Sequence, residues 1–108
     1  MAETFIVFST CGCEAEANRL ARALVEERLA ACVTVLPGLT SIYRWQGKVE
    51  TASEHLLLVK TTRERLPAVE NRIRELHSYE LPEIIAVPIT AGSEKYLAWI
   101  QEQVLPED

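Results

Sequence analysis

A single α+β domain spanning residues 1–108 is predicted by three features of the chain. Short runs rich in β-branched and aromatic residues alternate with segments whose apolar residues recur every three or four positions. Two of the strand-like runs meet at Gln46-Gly47, a hairpin signal. The length suits one core with little area to spare. The resulting order, βαββαβ with an extra C-terminal helix, makes an antiparallel sheet with helices packed on one face. This is the ferredoxin-like sandwich.

The first strand is read from "TFIVFS" (Thr4 to Ser9), a continuous apolar run suited to burial on both faces. "TCGC" ends it, and Glu14 and Glu16 fall where a helix N-terminus favours negative charge. Ala17, Leu20, Ala21, Leu24, Val25 and Leu29 then repeat at helical spacing. "ACVTVLPGLTSIYRWQGKVE" returns to strand chemistry, with a bend or bulge expected at Pro37-Gly38 and a reversal at Gln46-Gly47. "HLLLVKT" (His55 to Thr61) leads back. Leu66, Val69, Ile73 and Leu76 mark a second helix whose first turn tolerates Pro67. "EIIAVPI" is the last strand, its Pro88 suited to a sheet edge, and Ser93 caps a third helix.

Residues 31 to 45 and 48 to 61 are too long for such a domain. About 15 residues at roughly 3.3 Å each reach nearly 50 Å, against a diameter of about 33 Å for a compact chain of this length. The hairpin therefore either folds back over its own sheet or, as the better reading, protrudes. Ile42, Tyr43 and Trp45 near its tip form an apolar surface that is predicted to dock on another subunit.

Composition narrows the function. A net charge of −5 with no basic cluster excludes a non-specific nucleic-acid binder. No apolar run is long enough to cross a bilayer, and "MAETFIVFST" lacks the features of a secretory signal. Cys11, Cys13 and Cys32 read as reduced thiols, and a cytoplasmic location is expected. The common catalytic motifs are missing, so no enzymatic activity is expected.

The candidate chemistry is sparse. Cys11-Gly-Cys13 places two thiols at a helix start, where the dipole lowers a thiol pKa, although a structural role is the plainer reading. Cys32 in "AACV" reads as core. His77 ends the second helix, where a cation complements the dipole, and Glu83 follows Pro82 at the entry to the last strand. His77 and Glu83 with a nearby thiol suit copper or zinc if the fold brings them together. Lys60, beside Tyr79 and Glu83, suits instead the wall of an anion-binding cleft.

The segments "ALVEERLAACVTVLPGLTSIYRWQGKVE", "LLLVKTT" and "LHSYELPEIIAVPI…YLAWI" resemble the CutA divalent-cation-tolerance family. The likeness runs from about Thr4 to Val104 in matching order and spacing. It implies a homotrimer similar in architecture to the PII signalling proteins, with the long hairpin exchanged between subunits. It also implies a role in tolerance of copper or another divalent metal, without catalysis. The positions of the family's copper ligands correspond to Ser9, Leu76 and His77, of which only His77 carries a ligand atom suited to copper; Cys11 lies two residues past the expected thiol. The expected metal residues are therefore His77, Cys11 and Glu83. Tyr43, Trp45, Lys60, Tyr79 and Glu83 are expected at the inter-subunit cleft. The alternative is a PII-like regulatory module binding a small anion or a protein at that cleft.

Overall fold

Side chains alternate across a strand, so the burial pattern of the first strand locates the core. Phe5, Val7, Ser9 and Cys11 are buried, while Ile6, Phe8 and Thr10 between them are only half-buried. The computed structural model describes residues 3–106 and has the order β1 (Thr4–Cys11), α1 (Glu14–Glu26), β2 (Cys32–Trp45), β3 (Lys48–Thr62), a 3-10 turn (Arg63–Arg65), α2 (Leu66–Leu76), β4 (Ile85–Pro88) and α3 (Glu94–Gln103). The strands form one antiparallel sheet in the order β2-β3-β1-β4. This is the predicted ferredoxin-like topology with α3 appended. Pro88 lies on edge strand β4, where its missing N–H interrupts no inner ladder.

One face of the sheet carries the main core. Val7, Cys11, Leu57 and Val59 pack with Ala17, Leu20 and Leu24 of α1 and with Val69 and Ile73 of α2. A smaller cluster joins Ile100 and Val104 to Ala31. Ser93 caps α3 as expected, its Oγ accepting from the Tyr96 N–H at 3.3 Å.

The other face stays open in the single chain. Ile6, Phe8, Leu36, Leu56 and Leu58 are half-buried, and Ile85 and Val87 on β4 are exposed. Strand register sets Phe8 between Leu58 and Ile85, so these side chains form a continuous apolar surface.

The hairpin of β2 and β3 projects beyond this body. The chain measures 45 × 28 × 22 Å with a radius of gyration of 14.4 Å, above the ~13 Å of a compact chain this long. Leu36 faces Leu56 but Leu39 faces Glu54, so β2 carries a bulge of one extra residue at Pro37-Gly38. Gly38 has φ +77° there. At the tip, Gln46 and Gly47 both have positive φ, 50° and 81°, the signature of a type I′ turn.

Candidate metal centre and adjoining groove

Three chain segments converge where β1 ends. Strand β1 runs to Cys11, two residues further than the sequence pattern indicates, because Cys11 pairs with His55 of β3. Cys11 is thus a fully buried strand residue rather than part of a helix start. Burial first, and then the negative charge of Glu16, pushes its thiol pKa up to about 12, the reverse of the expected lowering. Cys13, at the N-cap position of α1 but with no side-chain capping bond among the described residues, is the exposed thiol of the pair.

Helix α1 supplies Glu16, only 6% exposed although charged. It sits one helical turn before Leu20 and two before Leu24, on the same buried stripe. Its Oε2 accepts from the Ser78 N–H at 2.9 Å, tying α1 to the chain that leaves α2. Helix α2 ends at Leu76, and His77 turns into extended backbone with its ring directed inward.

The His77 ring is held on both sides. Its Nδ1 accepts from the Tyr79 N–H at 3.0 Å, and its Nε2 lies 2.7 Å from the Thr10 carbonyl oxygen. These partners assign the ring proton to Nε2. Nε2 is also 3.8 Å from Cys11 Sγ, and Nδ1 is 4.0 Å from Glu16 Oε1. One ligand atom from each of Cys11, Glu16 and His77 lies within 4.8 Å of the others, and all three residues are buried. His77 is therefore a ring clamped inside the fold rather than a side chain in solvent at the helix end.

The Tyr79 and His77 rings pack with centroids 4.6 Å apart. The Tyr79 hydroxyl donates to Glu54 Oε2 at 2.7 Å, and Glu54 is nearly buried. Burial, then this hydrogen bond, raises the Tyr79 pKa above the usual phenol range. Beyond Tyr79 opens a groove of about 790 Å³ between the hairpin and the 79–83 turn, with Thr10, Tyr43, Trp45, Glu54, Tyr79 and Glu83 among its walls.

The expected site residues thus divide into separate groups. Cys11 and His77 meet at the buried cluster, but Glu83 is exposed on the groove, and the carboxylate near them is Glu16. Tyr43, Trp45 and Tyr79 share the groove with Glu83, whereas Lys60 does not line it. The Lys60 ammonium donates to Thr34 Oγ1 at 2.6 Å and approaches Cys32 Sγ at 3.8 Å. Cys32 is half-buried beside that charge rather than a core residue. Leu76 packs against the main core, and the buried Ser9 hydroxyl has no hydrogen-bond partner among the described residues. Sequence reasoning missed Glu16 and Glu54. Glu16's place on the Leu20–Leu24 stripe was a usable signal, but the burial of Glu54 depends on tertiary contacts beyond the bulge.

Residues 5–103 match the family model described as CutA1 divalent ion tolerance protein. The chain belongs to this family. Among its CutA relatives, the divalent-cation tolerance protein CutA of Thermus thermophilus is 54% identical over 97 residues, covering 90% of this chain and 94% of that protein. Human protein CutA is 46% identical over 95 residues, 88% of this chain, and this chain spans about half (53%) of its length. The CutA crystal structure from Xylella fastidiosa superposes with a TM-score of 0.93 at 48% identity, covering 95% of this chain and 99% of that one. CutA1 from Oryza sativa gives 0.94 at 38% identity, covering 98% and 97% respectively.

Proposed function

We propose that this CutA-family chain binds a copper, zinc or similar divalent ion through Cys11, His77 and Glu16, and contributes to metal tolerance as a homotrimer. The convergence of three donor atoms within 4.8 Å in a buried cluster is the observation that supports the binding site. A thiolate, an imidazole and a carboxylate suit zinc or copper, while magnesium and calcium prefer all-oxygen sets. The role is binding rather than catalysis. The open apolar sheet face and the protruding hairpin support the trimer, since both gain from burial against further copies.

Three free cysteines fit a reducing compartment, and we place the protein in the cytoplasm. Among the described residues no helix is long and apolar enough to cross a membrane. Two relatives, from Arabidopsis thaliana and Oryza sativa, are named chloroplastic, and one similar structure is titled periplasmic. The PII-like alternative with a small anion is less well supported. Among the described residues the groove is lined by Glu54, Glu80 and Glu83 and by no lysine or arginine.

Calorimetric titration with zinc chloride under reducing conditions tests the binding reading. Stoichiometric heat is expected, lost in His77→Ala and Cys11→Ser and retained in Glu83→Gln. Loss of binding in Glu83→Gln with retention in Glu16→Gln would overturn the ligand set.

A further inference from the structure

The buried cluster and the open groove share a wall. Thr10 gives its carbonyl oxygen to His77 and also lines the groove. Tyr79 gives its backbone N–H to His77 and its hydroxyl to Glu54, and both Tyr79 and Glu54 line the groove. The packing is close: a Cβ at Gly12 would lie 3.0 Å from the Tyr79 hydroxyl oxygen. Movement of Tyr79 therefore changes the surface presented to the groove.

The chemistry of imidazole links such movement to metal. A neutral histidine that gives one ring nitrogen to a metal carries its proton on the other. If His77 ligates through Nδ1, the acceptor of the Tyr79 N–H is taken. If it ligates through Nε2, the proton moves to Nδ1, which then meets the Tyr79 N–H donor to donor. In both cases the 3.0 Å hydrogen bond from Tyr79 is lost. The metal or the relocated proton would then meet the Tyr79 N–H at the 3.0 Å separation of the present bond, too close for either, so the 77–79 segment must shift. We infer that metal occupancy at Cys11, Glu16 and His77 displaces Tyr79 and so reshapes the groove, making the groove surface a readout of bound metal. The inference rests on the proposed metal reading. It gives Tyr79 the role of a transmitting residue that need not touch the ion.

Trp45, on the groove wall, is a built-in reporter. The chain has two tryptophans, so Trp99→Phe leaves Trp45 as the sole tryptophan, excited selectively at wavelengths the three tyrosines do not absorb. Zinc chloride is titrated into this protein while heat and tryptophan emission are followed in parallel. The expected result is an emission shift that saturates together with the heat. With Tyr79→Phe added, the heat should persist while the shift diminishes, because the tie to Glu54 is gone. If Trp99→Phe does not fold, the Tyr79 amide cross-peak of the unaltered chain, which must move on zinc addition, gives the same reading. Full zinc heat with unchanged Trp45 emission and a stationary Tyr79 cross-peak would overturn the coupling while leaving the metal site standing. Absence of zinc heat would overturn the metal reading and the coupling with it.

Discussion

At the scale of single residues, metal binding at this cluster begins from a thiol held protonated beside a carboxylate. With its pKa pushed up to about 12, Cys11 carries its proton throughout the neutral range. Metal must displace that proton, since the thiolate is the ligand form. The sign follows: raising pH lowers the cost of proton release, so binding tightens. We predict that apparent zinc affinity rises about tenfold per pH unit between roughly pH 6 and 8, one proton being released per ion. Calorimetry in buffers of different ionisation enthalpy measures that proton directly, and a pH-independent affinity would exclude Cys11 as a ligand. His77 and Cys11 were legible in the sequence as donors, but their juxtaposition was not. It depends on β1 continuing through Thr10 to Cys11 and on a post-helix turn that directs the ring inward. Glu83, two residues before β4, looked equally suitable as a donor. Only the path of the 79–83 turn separates it from the cluster.

At the scale of elements, the hairpin was the most legible feature and the strand ends the least. Gln46-Gly47 specified the turn because both central residues of a type I′ turn need positive φ. Glutamine is a poor occupant of its position, and asparagine accepts left-handed backbone more readily. Gln46→Asn should therefore raise the melting temperature. Gly47→Val, forced to φ near 81°, should cost about 1–2 kcal/mol or more and lower the melting temperature by roughly 5–10 °C. Thermal unfolding followed by circular dichroism checks both signs. Equal melting for all three proteins would mean that the tip contributes nothing to stability. The bulge was legible from Pro37-Gly38, but its one-residue offset was not. That offset places Leu39 opposite Glu54, and such a change in register cannot be read from the hydrophobic pattern of β2 alone.

At the scale of the whole molecule, one chain leaves an apolar sheet face and a long arm uncovered. The alternation in β3 separates two roles: Leu57 and Val59 belong to the core, while Leu58 between them faces the open side. If copies of the chain cover that side, Leu58→Asp should split the assembly while helical circular dichroism is kept. Val59→Asp, which buries a charge in the core, should unfold the chain. Sedimentation velocity with circular dichroism distinguishes these outcomes, and a Leu58→Asp protein that assembles normally would refute the assignment of this face. Assembly and metal binding come together in one observation, the mass of the intact complex sprayed from a non-denaturing solution containing a slight excess of zinc. The expected mass is that of three chains of 12.2 kDa carrying three zinc ions, one for each Cys11–Glu16–His77 cluster. A single-chain mass, or a trimer that remains metal-free, would contradict it.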